Sequence, residues 1–270
     1  MIGEIEDPGA AVLVSSCDRF FDAWRSFAGF WRRHWPAQTL RWPVYLVVNE
    51  LAVRSDWLTP LAVGRDRGWS DNLRQVLGRI ESDYLLYLQE DYFLTAPPDT
   101  DWLAAALAWM RAERIDLLCL RAMPPGYGAE DWPLVPGGDG RLRAIPEGSP
   151  WRGRLQAAFW RREALLGALR AGESAWDFEA NAGERLRGLR AWTVTGEGGD
   201  ALPYLSSAIV RGLWTLDARR LCAEQGIAIE PDCRGTSSPN RRLCKWRRAL
   251  DRVRLPLAQW REQRGEALEL

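Results

Sequence analysis

Short apolar runs alternate along the chain with segments in which apolar residues recur every three or four positions. The runs "AAVLVSS" at 10–16 and "YLLYL" at 84–88 are typical of buried strands, whereas Phe20, Trp24 and Phe27 follow helical spacing. Continuous apolar strands that alternate with helices predict a doubly wound α/β fold, with a mainly parallel sheet flanked by helices on both faces. Strands are predicted within 10–16, 41–50, 57–64, 82–91, 115–121, 154–160 and 190–196, and helices within 20–31, 68–80, 101–114, 161–170 and 173–188.

Polar residues mark the points at which helices are expected to begin. Asp18 precedes the first helical segment, Ser70 lies at the start of the second, and Ser174 lies near the start of the last. Aspartate and serine are favoured N-cap residues because their side chains accept hydrogen bonds from the first free amides of a helix. The Gly- and Pro-rich stretch 124–150 predicts a long loop or a hairpin over the sheet.

Several predicted strands end in polar side chains. In an open α/β sheet, ligands bind beyond the carboxyl ends of the strands, so these endings are expected to lie at the mouth of one site. Glu90 and Asp91 are the most informative pair, because two adjacent carboxylates at the end of a buried strand cost free energy unless they bind something. The alternative is a turn in which both acids cap the following segment. The endings are Ser15, Ser16, Cys17 and Asp18 after the first strand, Asn49 and Glu50 after the second, and Gln89, Glu90 and Asp91 after the fourth.

The numbers of basic and acidic residues indicate which kinds of partner molecule the protein is expected to bind. Lysine plus arginine equals aspartate plus glutamate at 36 each, whereas a general nucleic-acid-binding protein would be strongly basic. The 16 tryptophans suit a large core and also suit stacking on sugar rings. The sequence therefore predicts no nucleic-acid partner.

The cysteine content and the first ten residues indicate the cellular compartment in which the protein is expected. The five cysteines are odd in number and contain no CxxC pair, which favours reduced thiols. The start "MIGEIEDPGA" lacks the basic-then-apolar form of a signal peptide, and no apolar run approaches the roughly 20 residues of a membrane span. A cytoplasmic location is expected.

The segment "SDYLLYLQEDYFL" at 82–94, preceded by the helix in "GWSDNLRQVLGRI", resembles the centre of GT-A fold glycosyltransferases. That fold places an Asp-x-Asp-type motif after its fourth strand. The later segment "RLQAAFWRREALLGALRAGESAWDFE" at 154–179 resembles the acceptor half of bacterial surface-polysaccharide and lipopolysaccharide glycosyltransferases, and the likeness covers about 10–214.

The resemblance implies transfer of a sugar from a nucleotide-diphosphate donor to a saccharide or a lipid-linked acceptor, in cell-surface polysaccharide assembly. It places the donor at the polar strand endings, with arginines at 65, 67 or 211 available for the diphosphate. The residues implied in donor binding are Ser15, Cys17, Asp18, Asn49, Glu50, Trp69, Ser70, Asn72, Glu90, Asp91 and Arg211.

The resemblance also bears on a metal cofactor. Gln89 stands where the Asp-x-Asp pattern has its first acid, Glu90 is the middle residue and Asp91 is the last. Hard cations such as magnesium and manganese prefer charged oxygen ligands and share substrate phosphates. Asp91 is therefore the one metal ligand that the pattern implies, with Glu90 on the ribose or the donor sugar.

The segment "WDFE" is implied to carry the other half of the chemistry. Inverting transfer needs a base for the proton of the acceptor hydroxyl. Glu179 is the first candidate and Asp177 the second, with Trp176 and Gln156 on the acceptor. The alternative is that both acids only complement the helix dipole in the first turns of a helix.

Two other readings of the chain stay open. The altered Gln89 suits a carbohydrate- or nucleotide-binding protein that kept the fold and lost catalysis, and a partner subunit within a larger synthase is the second. The histidine at 34 has no partner cluster, which argues against histidine-based sites.

The chain is predicted to divide into a main domain and a tail. The domain is 1–239, with a nucleotide half of about 1–123 and an acceptor half of about 124–239. The tail, 240–270, contains "NRRLCKWRRALDRVRLPLAQWREQ", a basic amphipathic helix interrupted by Pro256. Such a helix suits peripheral contact with the inner face of an anionic membrane, or it packs its apolar stripe of Trp246, Leu250, Val253 and Leu257 on the domain.

Overall fold

The computed structural model describes residues 9–196 and 201–270, so the acidic start at 1–8 lies outside the described residues. Each predicted strand segment contains a strand. In chain order the strands are β1 (Ala11–Ser15), β2 (Val44–Val48), β3 (Val53–Arg54), β4 (Thr59–Ala62), β5 (Tyr84–Gln89), β6 (Phe93–Leu94), β7 (Leu117–Cys119), β8 (Leu142–Ala144), β9 (Ala158–Arg161), β10 (Ala191–Val194), β11 (Tyr204–Leu205), β12 (Ile209–Val210), β13 (Leu213–Trp214) and β14 (Leu268–Glu269).

Helices flank the strands along the whole described chain. Short 3-10 turns precede α1 (Asp18–Phe20), lie in the loop after β7 (Ala129–Asp131) and precede β9 (Pro150–Gly153). The α-helices are α1 (Phe21–His34), α2 (Trp69–Leu77), α3 (Thr100–Ala112), α4 (Arg162–Ala168), α5 (Ala175–Asn181), α6 (Leu216–Glu224) and α7 (Arg241–Arg264).

Eight strands form one mixed sheet in the order β4-β2-β1-β5-β9-β7-β10-β8. The pairs β2–β4, β1–β2, β1–β5 and β7–β10 are parallel. Strand β9 is antiparallel to both of its neighbours, β5 and β7, and β8 is antiparallel to β10. The prediction of an α/β sheet is confirmed, with β9 lying antiparallel between two strands that precede it in the chain.

The strands bury side chains on both faces, as a doubly wound sheet requires. Val12 and Val14 of β1 lie in one core with α1, α3 and α6, whereas Leu13 lies in the other core with α2, α4 and α5. Alternation along a strand sends successive side chains to opposite faces, which explains this division.

Two predicted helix caps are wrong. Asp18 lies in the 3-10 turn Asp18–Phe20 and its carboxylate binds backbone amides elsewhere, while Phe20 is the N-cap of α1. Gly68, in a left-handed conformation with φ of 98°, is the N-cap of α2 in place of Ser70. The Ser174 cap is confirmed, because its hydroxyl accepts the Asp177 amide.

The C-terminal helix α7 continues through Pro256, which the sequence had marked as an interruption. Asn240 caps α7 by accepting the amides of Arg242 and Leu243. After α7 the chain returns to the domain, where β14 pairs in parallel with β3.

Candidate active site

The sequence "QED" lies at the carboxyl edge of the sheet. In chain order β5 is the fourth strand of the eight-stranded sheet, so Glu90 and Asp91 follow the fourth strand. Both carboxylates are buried. Gln89, the last residue of β5, is half-buried and donates to the Tyr87 hydroxyl at 3.4 Å.

Asp91 fixes the start of the hairpin made by β12 and β13. Its Oδ2 accepts the amide of Ile209 at 3.0 Å, and its backbone oxygen accepts the amide of Ala208 at 3.0 Å. Burial raises the pKa of Asp91 to about 7, against the opposing effects of the Ile209 amide and the Arg234 charge. Asp91 thus has a structural contact and also carries a carboxylate whose charge the fold leaves poorly compensated.

Glu90 turns towards the loop after β1. It is hydrogen-bonded to the Ser16 hydroxyl, which in turn accepts the indole NH of Trp24 at 2.8 Å. Burial, and then the charge of Asp91, raise the pKa of Glu90 well above its ordinary value. Two adjacent carboxylates with raised pKa values at a sheet edge are typical of a ligand site, because a bound cation or hydroxyl donor would stabilise their ionised forms.

A buried arginine lies beside this acidic pair. Arg234 forms a two-pronged ion pair with Asp22 of α1, at 2.8 Å from Nε and 2.7 Å from Nη2, with side-chain exposures of 4% and 0%. Burial acts to lower the pKa of Arg234, but the hydrogen bond and charge of Asp22 raise it on balance, and Glu90 adds to this. Sequence reasoning missed both residues, because nothing in a local pattern joins positions 22 and 234.

Hydrogen bonds of Asp18 and Asn49 join the loop after β1 to the loop after β2. The Asp18 carboxylate accepts the amides of Asn49, Glu50 and Leu51 at 2.7–2.9 Å, and Asn49 Oδ1 accepts the Asp18 amide at 3.0 Å. Three amides satisfy the Asp18 carboxylate, so its main role is to shape the loops. Glu50 is exposed, and the buried Asn49 Nδ2 has no partner among the described residues.

Tyr87 of β5 holds several side chains near Glu90. Its hydroxyl is bonded to Ser15 and Gln89, and it accepts the indole NH of Trp69 at 3.2 Å. Cys17 is half-buried, and burial, followed by the charges of Glu90 and Asp66, raises its pKa to about 12. The Cys17 thiol is therefore neutral.

Ser70 and Asn72 support the loops at the start of α2. The Ser70 hydroxyl accepts the Glu173 amide at 3.1 Å, and Asn72 Nδ2 donates to Asp66 at 2.8 Å. Both side chains are buried in these contacts. They hold the loop that carries Asp66 and the loop before α5.

Arg211 lies at the tip of the β12–β13 hairpin. Arg211 and Gly212 both have positive φ, 52° and 77°, as a two-residue hairpin turn of this hand requires. Arg211 is exposed, and Asp91 fixes the base of the same hairpin through Ile209. The acidic pair and this arginine are therefore linked through one short hairpin.

Glu179 of α5 is joined to the acidic pair through Tyr92. Glu179 Oε1 accepts the Leu155 amide at 2.7 Å, and the Leu155 oxygen accepts the Tyr92 hydroxyl at 2.6 Å. Burial raises the pKa of Glu179, with the Leu155 amide and Arg154 opposing it. Asp91 and Glu179 both act on the pKa of Tyr92, after the larger effects of burial and of Tyr204. Tyr92 therefore connects the segment that carries Asp91 to the segment that carries Glu179.

The other acceptor-half residues lie in different surroundings. Asp177 is exposed and forms a capping box with Ser174, whose hydrogen bonds lower the Asp177 pKa. Gln156 Oε1 accepts the Tyr204 hydroxyl at 2.9 Å. Trp176 is 76% exposed and lies three residues before Glu179, on the same side of α5. An exposed indole beside a half-buried acid suits a sugar ring.

Glu90 and Asp91 are the candidate ligands for a divalent cation. Within residues 9–196 and 201–270, no three His, Cys, Asp or Glu side chains group as a metal site. Glu90 and Asp91 together offer two carboxylates, and Mg²⁺ usually takes one or two from a protein, with waters and substrate phosphates in its remaining positions. Because Asp91 Oδ2 accepts an amide, Oδ1 is the atom that would face a cation. The residues fit an ion held jointly by protein and diphosphate.

No protein-family model matches the chain, and no curated protein sequence matches it. Solved structures align with it. TarS 1–349 of S. aureus is 11% identical over 72% of this chain and 58% of that chain, with a TM-score of 0.46. The mannosyltransferase PcManGT from Pyrobaculum calidifontis, in complex with GDP-Man and Mn²⁺, is 16% identical over 94% of this chain and 72% of that chain, with a TM-score of 0.48.

A complex of TarS 1–349 with UDP-GlcNAc aligns at 12% identity over 72% of this chain and 56% of that chain, with a TM-score of 0.43. The present chain thus spans less than two thirds of TarS 1–349. The fold class follows from the strand order and register described above. Among the described helices, none is long and apolar enough to cross a bilayer.

Proposed function

We propose that the protein is a glycosyltransferase that moves a sugar from a nucleotide-diphosphate donor to a saccharide or lipid-linked acceptor, with inversion at the anomeric carbon. The observation that carries this proposal is the continuous path from Asp91 through Tyr92 and Leu155 to Glu179. It links the strand end that carries a buried acidic pair to a separate acid of raised pKa.

The two acidic groups have different tasks in this proposal. Glu90 and Asp91 orient the donor at the carboxyl edge of the sheet, where ligands of α/β folds bind. Glu179 takes the proton of the acceptor hydroxyl through Oε2, since Oε1 is held by the Leu155 amide. Its raised pKa makes it a stronger base than an exposed glutamate. Asp177, tied into the capping box, becomes the weaker candidate.

Stabilisation of the departing diphosphate is assigned to a cation and an arginine. A Mg²⁺ or Mn²⁺ ion held by Asp91, with Glu90 beside it, would neutralise charge on the leaving group when bound. Arg211, at the hairpin tip, supplies a second positive charge. The charge of the buried Arg234 acts to lower the pKa values of Glu90 and Asp91 and so favours their ionised forms.

The proposed setting is assembly of cell-surface polysaccharide or lipopolysaccharide, with the enzyme at the cytoplasmic face of the membrane. The motif resemblance at 82–94 and 154–179 supports this assignment. The exposed Trp176 next to Glu179 suits an acceptor that ends in a sugar.

A carbohydrate- or nucleotide-binding protein without catalysis is the second candidate. Gln89 at the first position of the acidic motif, and the hydrogen bond that Glu179 already makes to Leu155, favour this alternative. It predicts donor binding without hydrolysis or transfer.

A two-stage experiment distinguishes these functions. Thermal shift across nucleoside diphosphates, with and without Mn²⁺, detects the nucleotide, because a ligand raises apparent stability by mass action even without turnover. Release of nucleoside diphosphate is then measured with a donor panel that includes UDP-GlcNAc and GDP-mannose. Release that increases with an acceptor supports the enzyme, and a shift without release supports the binding protein. If no nucleoside diphosphate shifts the melting temperature, with or without Mn²⁺, the proposal is wrong.

A further inference from the structure

Helix α7 contacts the domain through one face. Asp251 is buried and its Oδ2 accepts the Gly235 amide at 2.9 Å, while Arg247 donates to the Thr236 oxygen. Leu255 and Ala258 of the same face pack against the main core. These contacts fix how α7 is rotated about its own axis.

The apolar stripe of α7 lies on the opposite face. Trp246, Val253, Leu257 and Trp260 are 59%, 61%, 54% and 50% exposed. Their spacings of seven, four and three place them on one stripe of a helix, which turns by about 100° per residue. Asp251 is roughly opposite. The sequence left open whether the stripe of Trp246, Leu250, Val253 and Leu257 packs on the domain. In the structure Leu250 is half-buried and the other three face outward with Trp260. The residues Trp246, Val253, Leu257 and Trp260 are called the outer α7 face.

The charges around the outer α7 face have one sign. Asp251 is buried in the docked face and Glu262 is half-buried, so every exposed charged side chain of α7 is basic. The Arg264 guanidinium stacks over the Trp260 ring at 4.4 Å from its centroid. The exposed basic residues are Arg241, Arg242, Lys245, Arg252, Arg254, Arg261 and Arg264.

We infer that the outer α7 face binds the surface of an anionic lipid bilayer, with the helix lying parallel to the membrane. Tryptophans at both ends of an exposed apolar stripe, bordered by arginines, suit the headgroup boundary, where indole rings and basic side chains are both stabilised. Val253, Leu257 and Trp260 line a shallow groove with Arg252 and Pro256 that acyl chains would fill.

Charge decides between a bilayer and a second copy of the chain. A symmetric dimer through the outer α7 face would bring Arg242, Arg261 and Arg264, the exposed cations beside the stripe, towards the same cations of the other copy. An anionic lipid surface complements that charge. The inference goes beyond the proposed function, and lipid binding can be measured without sugar transfer, so either can fail alone.

The test is co-sedimentation of the full chain with vesicles of phosphatidylcholine alone or mixed with phosphatidylglycerol, at low and high salt. We expect binding to the anionic vesicles only, and weaker binding at high salt. The double variant Leu257→Gln/Trp260→Gln should abolish most of it. Leu134→Gln is the matched control, because Leu134 is 52% exposed and lies outside α7; it should bind like wild type.

A second pair of variants measures the electrostatic part. Arg252→Gln and Arg254→Gln should each weaken binding about fivefold, the factor for roughly 1 kcal/mol per basic residue at an anionic surface. Equal recovery in the supernatant with both lipids overturns the inference. So does a concentration-dependent dimer that Leu257→Gln dissociates, or retention by RNA that exceeds retention by anionic vesicles.

Discussion

Asp91 has a structural contact and a proposed ligand contact, which different substitutions can separate. Asp91→Asn keeps an oxygen for the Ile209 amide and removes the charge, whereas Asp91→Ala also leaves that buried amide unpaired, at a cost of about 1–3 kcal/mol. We expect Asp91→Asn to fold normally and to bind a nucleoside diphosphate with Mn²⁺ at least about tenfold more weakly, a change of roughly 1.4 kcal/mol. Calorimetric titration decides it, and unchanged affinity would remove Asp91 from the donor site.

The raised pKa of Asp91 has a consequence for stability. Its folded pKa of about 7 lies above its ordinary value of 3.8, so the native state binds more protons than the unfolded state between these two values. The free energy of unfolding should therefore fall as pH rises through this interval. In Asp91→Asn the unfolding free energy should change less with pH, because the Asp91 carboxyl no longer titrates. The variant also removes one cause of the raised Glu90 pKa. Urea denaturation at several pH values tests this, and identical slopes for both proteins would contradict it.

Glu179 and Asp177 provide a matched pair for the base. Glu179→Gln keeps an oxygen for the Leu155 amide but cannot accept a proton, so transfer should fall about a hundred- to ten-thousand-fold with donor binding unchanged. Asp177→Asn should retain turnover, since Asp177 is committed to the Ser174 cap. Initial rates with a functional donor and acceptor distinguish them. If Asp177→Asn were inactive and Glu179→Gln active, Asp177 would be the base and Glu179 would not.

The Arg234–Asp22 pair joins the first turn of α1 to the segment before α7. Arg234→Met leaves a buried carboxylate without its partner, which typically costs about 3–5 kcal/mol. The double variant Arg234→Met/Asp22→Leu should recover much of this loss, because neither charge is then buried. Urea denaturation of the single and double variants provides the comparison. Equal stability of Arg234→Met and wild type would mean that the pair contributes little.

Local patterns predicted seven of the eight strands of the main sheet, all but β8, and most helices, because a run such as 84–88 is apolar whatever its partner is. The short strands outside that sheet were not predicted. They failed where a distant contact decides the geometry. Ser70 looked like a cap, but its hydroxyl binds the Glu173 amide, more than a hundred residues away in the chain. The acidic pair was found because it interrupts an apolar run. Nothing in the sequence around Arg234 shows that this arginine, unlike the many surface arginines, is buried.

The direction of strands was equally beyond a local pattern. Strand β9 has the same apolar character as a parallel strand, yet it runs antiparallel between β5 and β7. The outward orientation of Trp246 and Leu257 likewise depends on Asp251 binding Gly235. An amphipathic stripe shows that one face differs from the others, but only the tertiary contacts show which face docks.

The end of the chain stabilises the whole domain through β14. Leu268 and Leu270 are buried, β14 pairs with β3, and the Leu270 oxygen accepts hydrogen bonds from Arg32 and Ser55. Leu268→Ala should destabilise the fold by about 2–5 kcal/mol, the usual cost of truncating a buried leucine. Thermal unfolding measures it, with Leu257→Ala on the exposed α7 stripe as the neutral control. A loss of less than about 0.5 kcal/mol would show that β14 is not integral to the domain.

The position of β9 in the chain also determines how long the edge of β5 stays unpaired during synthesis on the ribosome. Strands β1, β2, β4 and β5 come from residues 11–89, but the strand that covers the open edge of β5 emerges only at Ala158–Arg161. At about 5–20 residues per second, a nascent chain carries that apolar, unpaired edge for a time on the order of seconds. Synonymous codons that slow translation between these two points should lower the yield of soluble protein, although the amino-acid sequence and the finished fold are unchanged.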